Sequence, residues 1–148
     1  MRNLNKRIDT LLNSDKDVSQ KLQQLCKLLF DEVEHYNWVG FYFKNGDKQE
    51  LKLGPYVGAP TDHTIIPYGR GICGQVAESN ETLVVQDVNE ASNYLSCSID
   101  TKAEIVVPIF KKGENIGQID IDSHFKDSIT PEDQKFLEEL MIKVAEIL

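Results

Sequence analysis

The sequence predicts an α+β fold in which helices at both ends of the chain cover one face of a central antiparallel sheet. Two predicted β-hairpins indicate the antiparallel sheet, one with its turn at Asn45 and Gly46 and the other with its turn at residues 112–115. Apolar residues at helical spacing near both ends of the chain support the helices. Between the two strand pairs, residues 87–103 have no periodicity, and a loop of that length inside a compact domain is usually functional.

The elements can be assigned in chain order. A short helix is predicted at the start, with a break near residues 13–15 and a longer helix that ends near His35. The last helix begins at Thr130, an N-cap residue that Pro131 follows. Between them the predicted segments are strands 38–43 and 50–54, a proline-rich loop 55–67, a short helix 73–79 and strands 82–85, 104–110 and 116–122. The sheet face that the terminal helices leave uncovered is where loops would form a pocket.

The composition argues against several classes of partner. The formal net charge of −8 and the isoelectric point of about 4.8 do not suit nucleic acid, which requires clustered Lys and Arg, or an anionic membrane surface. No apolar run approaches the ~18 residues of a membrane span, and no export signal is recognisable. The three cysteines are sparse and indicate a reducing compartment. We therefore expect one soluble, cytoplasmic domain over residues 1–148.

The cysteines differ in their predicted surroundings. Cys26 lies on the apolar stripe of the second helix and is predicted to be a core residue. Cys73 falls in the first turn of a predicted helix, where the helix dipole and Arg70 would favour its thiolate. Cys97 lies in the long aperiodic loop among polar residues, where a substrate or a partner thiol could reach it. Cys73 and Cys97 are therefore the candidates for thiol chemistry.

A glycine-rich segment precedes Cys73. Residues 69–74 match the pattern G-x-G-x-x-G, but no βαβ unit surrounds them, which argues against a dinucleotide site. Two interpretations stay open. The segment is either a tight turn, or a turn that feeds a helix N-terminus whose backbone N–H groups near Gly71 hold a small anion.

Two acidic residues alternate with isoleucines in the last strand. Asp120 and Asp122 share one face, and Glu104 begins the neighbouring strand. This face is either a solvated outer surface or the floor of a pocket covered by the long loops, in which adjacent carboxylates raise each other's pKa. His124 continues the alternation, so a metal site is a third interpretation, but no cluster of Cys and His supports it. We expect no metal and no cofactor.

Several segments resemble the GAF-domain proteins and, more narrowly, the free methionine-(R)-sulfoxide reductases. They are NWVGFY from Asn37, LGPY from Leu53, IPYGRGICG from Ile66, EIVVP from Glu104 and IDIDS from Ile119. The resemblance covers nearly the whole chain. It implies a GAF-like fold, with helices on one face of the antiparallel sheet and a loop-covered ligand pocket on the other.

The resemblance also implies an activity and a site. The catalytic cysteine of the family falls on Cys97 and one of its recycling cysteines on Cys73. Substrate-binding residues fall on Trp38, Glu104, Asp120 and Asp122, and we add Gly71 at the helix N-terminus. The implied chemistry is attack of a thiolate on the sulfoxide sulfur, release of methionine, and condensation of the resulting sulfenic acid with a second thiol. Thioredoxin is the implied reductant, and a homodimer is the implied assembly.

The chain departs from the family pattern at two places. A cysteine that the family carries shortly before Ile66 is absent from residues 61–65, and Asn89 stands where the family often has histidine. Recycling would then require Cys73 or an external thiol. The alternative function is a non-catalytic GAF module that binds a small molecule as a sensor.

Overall fold

The computed structural model describes residues 2–90 and 100–148. Their helices are α1 (Arg2–Leu12), α2 (Val18–Glu32), α3 (Gly71–Ser79) and α4 (Pro131–Ile147), with a short 3-10 helix at Val88–Glu90. Their strands are β1 (Trp38–Lys44), β2 (Glu50–Val57), β3 (Ile65–Pro67), β4 (Leu83–Val85), β5 (Ala103–Lys111) and β6 (Glu114–Ser123). The six strands form one sheet in the order β3-β2-β1-β6-β5-β4, and each neighbouring pair is antiparallel.

The terminal helices α1, α2 and α4 cover one face of the sheet, as the periodicity predicts. Leu25, Leu29 and Leu137 are fully buried against Ile119 and Ile121 of the central strand β6. These isoleucines alternate with Asp120 and Asp122, so the apolar half of β6 builds the main core while the acidic half faces away from it. The predicted α+β architecture is confirmed.

A polar network fixes the start of α4 to the loop before β1. Thr130 and Asp133 form a reciprocal capping box, which satisfies free N–H groups at the helix N-terminus. Asp133 also accepts a hydrogen bond from the Tyr36 hydroxyl at 2.7 Å and lies 2.9 Å from His35 Nε2. Burial acts to raise the pKa of Asp133, but the hydrogen bonds from Thr130, Tyr36 and His35, together with the charge of His35, outweigh it and lower that pKa.

The second face of the sheet is covered by α3, a helix of nine residues. Ile72 and Val76 of this helix pack in one apolar cluster with Trp38, Tyr42 and Val106 of the sheet. This cluster is separate from the main core and lies on the face that carries the acidic side chains of β6.

The prediction of a continuous loop over residues 55–67 is wrong at both ends. β2 continues through Pro55 to Val57, and Ile65–Pro67 forms the edge strand β3. β1 and β2 shift register between Gly40 and Tyr42, so one extra residue of β2 is accommodated around Pro55. A proline lacks the N–H that a regular ladder needs, but a bulge and an edge strand both tolerate it.

No helix in the described ranges is both long and apolar enough to cross a membrane.

Candidate active site

The acidic side chains of β5 and β6 are buried rather than solvated. Glu104 is 2% exposed, and Asp120 and Asp122 are both 0% exposed. Asp122 pairs with Glu104 across β5 and β6, while Asp120 pairs with Val106 in the same ladder. Paired residues of adjacent strands point to the same face, so the three carboxyl groups lie together on the face of the sheet that α3 covers.

Trp38 extends this row to a third strand. It pairs with Asp122 across β1 and β6, so Trp38, Asp122 and Glu104 lie side by side on β1, β6 and β5. The indole is 1% exposed, stacks on Tyr56 with ring centroids 5.3 Å apart, and donates its Nε1 proton to the carbonyl of Ala59 at 2.9 Å. The ring is therefore held as a fixed apolar wall beside the carboxyl groups.

Two glycines allow the indole to lie this close to the backbone. A Cβ at Gly40 would stand 2.5 Å from the Trp38 ring, and a Cβ at Gly58 would stand 2.5 Å from its Cδ1 atom. Gly58 also has φ +136°, which L side chains rarely adopt. Because Gly40 pairs with Asp120, the ring that covers Gly40 also lies next to that carboxyl group.

Cys73 reaches the same site from the first turn of α3. Its side chain is buried, and Sγ donates a hydrogen bond to Asp120 Oδ2 at 3.3 Å. Gly69 and Gly71 have positive φ of 85° and 65°, which turns the chain into α3 and places Cys73 over the sheet. Gly71 itself is buried at the N-terminus of the helix, where its backbone could serve a bound anion.

Sequence reasoning missed two polar residues of this face. Thr101 is 4% exposed, and its hydroxyl lies 3.4 Å from Asp122 Oδ2. Gln118 is 0% exposed and precedes Asp120 by two residues on the same face of β6. Thr101 falls in the aperiodic stretch of residues 87–103, where no sequence pattern indicates its contact with Asp122. Gln118 could have been found, because it belongs to the same alternation in β6 as Asp120 and Asp122.

Three other residues singled out in the sequence, Cys26, His124 and Cys97, do not join this group in the described structure. Cys26 is fully buried in the main core, its Sγ is 3.6 Å from the carbonyl of Pro55, and burial raises the pKa of its thiol. His124 is exposed while Asp120 and Asp122 are buried, so the metal set of these three residues is not assembled. Cys97 lies outside the described residues.

One group of potential ligands does converge. Cys73, Glu104 and Asp120 each offer one ligand atom, and these three atoms lie within 4.8 Å of one another. The groups come from α3, β5 and β6, so their proximity is a consequence of the fold rather than of local sequence spacing.

The sequence profile of the GAF domain matches residues 17–148. The chain belongs to the GAF domain family. The curated free methionine-R-sulfoxide reductase of Escherichia coli is 31% identical over 145 residues, which is 98% of this chain and 86% of that protein. The predicted resemblance to this group of GAF proteins is therefore confirmed.

Solved GAF structures agree with this relationship. The free methionine-R-sulfoxide reductase of Neisseria meningitidis in complex with its substrate is 33% identical with a TM-score of 0.92, over 99% of this chain and 86% of that chain. The fRMsr of Staphylococcus aureus in its reduced form is 35% identical with a TM-score of 0.90, over 99% of this chain and 94% of that chain.

Proposed function

We propose that this GAF protein reduces free L-methionine-(R)-sulfoxide to methionine, with Cys97 as the nucleophile. The observation that carries the proposal is the buried row formed by Trp38, Asp122 and Glu104, with Asp120 and Cys73 beside it. Relatives that are named free methionine-R-sulfoxide reductases and match almost the whole chain support the same substrate.

The carboxyl groups suit the amino-acid end of this substrate. A buried carboxylate costs free energy unless a positive group compensates its charge, and the ammonium of a free amino acid supplies that charge. Glu104 and Asp122 form a cross-strand pair that one ammonium can bridge. The substrate carboxylate can accept hydrogen bonds from the backbone near Gly71 at the N-terminus of α3.

The remaining parts of the site suit the sulfoxide end. The Trp38 ring offers an apolar surface to the methyl group and the sulfur. Burial and mutual proximity favour a proton on one of the carboxyl groups, and that group can donate to the sulfoxide oxygen as its negative charge grows. Asp120 lies next to both Trp38 and Cys73, so we assign this donation to Asp120.

The chemical step transfers oxygen from substrate to enzyme. The thiolate of Cys97 attacks the sulfoxide sulfur while Asp120 gives its proton to the oxygen. The sulfur–sulfur bond of this adduct and the S–O bond of the substrate then break as the hydroxyl passes to Cys97 Sγ, so methionine leaves and Cys97 becomes a sulfenic acid. The thiol of Cys73 then attacks this sulfur and releases water, which leaves a disulfide between Cys73 and Cys97. A dithiol such as thioredoxin reduces the disulfide and restores both thiols.

The position of Cys97 in the sequence is compatible with its proposed role. Thr101 contacts Asp122, and Cys97 is only four positions before Thr101 in the sequence. Four positions span at most about 14 Å, which is short enough for the proposed attack by Cys97 on a substrate in the acidic pocket. A disulfide requires Cα atoms about 4.4–6.8 Å apart, which sets the approach that Cys97 must make to Cys73.

A single-turnover experiment tests this proposal. The reduced protein is mixed with one equivalent of free L-methionine-(R)-sulfoxide without a reductant, and the cysteines are located by peptide mapping. We expect one equivalent of methionine and a Cys73–Cys97 disulfide, with Cys26 unmodified. The Cys26→Ser variant should behave like the parent, and Cys97→Ser should bind the sulfoxide without forming methionine. Methionine release that continues in Cys97→Ser would contradict the assignment of the nucleophile.

The reductant and the assembly are further parts of the proposal. We propose thioredoxin as the reductant, because a disulfide between two protein thiols is a substrate for dithiol exchange. We also propose a homodimer, for which Ile142 of α4, 67% exposed, is an apolar residue available at the surface. Sedimentation velocity measures the assembly directly.

A further inference from the structure

Three buried side chains in the pocket form a ligand set of mixed chemistry. Cys73 provides a sulfur atom from α3, and Glu104 and Asp120 provide carboxylate oxygens from β5 and β6. All three residues are at most 6% exposed, and their ligand atoms lie within 4.8 Å of one another. Separate rigid elements hold them, so the three atoms surround one point inside the protein.

The spacing of these atoms is close to that of a tetrahedral metal site. Zinc binds sulfur at about 2.3 Å and carboxylate oxygen at about 2.0–2.2 Å, so ligand atoms around it are about 3.4–3.6 Å apart. Cys73 Sγ and Asp120 Oδ2 are already 3.3 Å apart. The separation of the widest pair, at most 4.8 Å, must shorten by about 1 Å, which rotamer adjustments of the Glu104 side chain can provide.

An unpartnered amide lies on the same face. Gln118 is 0% exposed, and neither its Nε2 nor its Oε1 has a hydrogen-bond partner within the described ranges 2–90 and 100–148. Leaving a buried amide without partners is unfavourable, so its presence indicates that the face accommodates a further polar species. Gln118 is two residues from Asp120 on β6, so its side-chain amide adds one more oxygen atom to that face.

We propose that Cys73, Glu104 and Asp120 bind one Zn²⁺ ion, with the fourth position left to water or a small ligand. One thiolate with two carboxylates favours a borderline ion such as Zn²⁺ over Mg²⁺, which prefers oxygen ligands alone. On binding, the Cys73 thiol and the protonated Asp120 carboxyl both lose their protons to solvent, and bonds from sulfur and from the carboxylate oxygens to zinc form, so affinity rises with pH. The divalent charge compensates the buried negative charges of the three ligands.

Zinc at this position has a consequence for the reductase. That consequence rests on the proposed function, whereas the binding itself does not. The ion binds Glu104, which the substrate ammonium needs, and Asp120, which the sulfoxide oxygen needs, and it holds the thiol that resolves the sulfenic acid, so zinc and methionine sulfoxide exclude each other. Zinc is therefore expected to inhibit turnover competitively and reversibly, and to protect Cys73 from alkylation.

Cobalt titration tests the site without any substrate. The reduced, metal-free protein is titrated with Co²⁺, whose bond to a thiolate produces a charge-transfer band. We expect one equivalent to saturate the band, Zn²⁺ to displace it, and Mg²⁺ to have no effect. Cys73→Ser should abolish the band, while the matched variant Cys26→Ser should retain it. Glu104→Gln, a variant of similar shape, should weaken Zn²⁺ binding at least tenfold, since one charged ligand is lost.

The possible outcomes are separable. A band that persists in Cys73→Ser, that disappears in Cys97→Ser, or that never saturates would overturn the assignment. Glu104→Gln keeps the test decisive if Cys73→Ser does not fold, because unchanged zinc affinity in that variant would also overturn it. Saturable zinc binding without sulfoxide reduction would refute the proposed function and leave the metal site standing. Sulfoxide reduction without zinc binding would refute the metal site and leave the proposed function standing.

Discussion

Replacing Asp122 by Asn tests whether the acidic pocket serves substrate binding, as proposed, rather than folding. The carboxyl group is 0% exposed and lies between Trp38 and Glu104 in the cross-strand row. An asparagine has nearly the same shape, and its amide oxygen can still accept the hydrogen bond from Thr101. The variant therefore removes the negative charge and little else.

The size of the expected effect follows from these contacts. A hydrogen bond between a carboxylate and an ammonium contributes about 1.5–3 kcal/mol, so its loss lowers kcat/KM by about 10–150-fold. The free energy of unfolding should change by less than ~1 kcal/mol or should increase, because Asp122→Asn removes one of several buried like charges. Activity and stability are thus predicted to respond differently to the same substitution.

Asp133→Asn is the matched control, since Asp133 is also a largely buried aspartate but lies on the opposite side of the sheet. Its carboxylate accepts a hydrogen bond from Tyr36 at 2.7 Å and completes the capping box with Thr130. Asparagine keeps one of the two acceptor oxygens, but loss of the other and of the charge should lower the free energy of unfolding by about 1.5–3 kcal/mol and leave kcat/KM unchanged. Urea unfolding and initial rates measure both quantities. Equal losses of activity and stability in Asp122→Asn, or a selective loss of activity in Asp133→Asn, would refute the assignment.

Four further outcomes are expected. The pKa of Asp133 is lowered below its ordinary value of 3.8. The stability that this carboxylate contributes is therefore present above pH 3.8 and is lost as the pH falls through the lowered pKa. Urea unfolding from pH 6 to 2 should show this loss in the parent and not in Asp133→Asn. Gly40→Ala places a Cβ 2.5 Å from the Trp38 ring and should cost about 1–3 kcal/mol of stability and weaken substrate binding, measured by calorimetry. Gly46→Ala, where nothing lies within 4 Å, should show only backbone strain of about 1 kcal/mol and full activity. Cys26→Ser should retain parental kcat/KM, and a large fall would show that the buried thiol participates in turnover.

The sheet and the terminal helices could be predicted because their signals are local. Alternation at Ile119 and Ile121 and the helical spacing of Leu25 and Leu29 each report directly which face is buried. The prediction of a loop over residues 55–67 was wrong because β2 continues through a bulge at Pro55, and no local sequence pattern indicates such a bulge.

The burial of the acidic face could not be predicted from the residues of β6. Asp120 and Asp122 show the same alternation whether the face is solvated or covered. What decides between the two is α3, whose weak periodicity gives no indication that Ile72 and Val76 pack across the sheet. The contact between Cys73 and Asp120 joins residues 47 positions apart, so no spacing in the sequence could reveal it.

Turnover of the two sulfoxide epimers tests the proposed activity most directly. The reduced protein is incubated with an equal mixture of the R and S epimers of free L-methionine sulfoxide, together with thioredoxin and its reductase, and the epimers are separated by chromatography. The fixed positions of Trp38 and Asp120 predict complete loss of the R epimer, retention of the S epimer, and no reaction in Cys97→Ser. Calorimetric binding of the R epimer without any turnover would contradict the proposal and make the chain a GAF binding module.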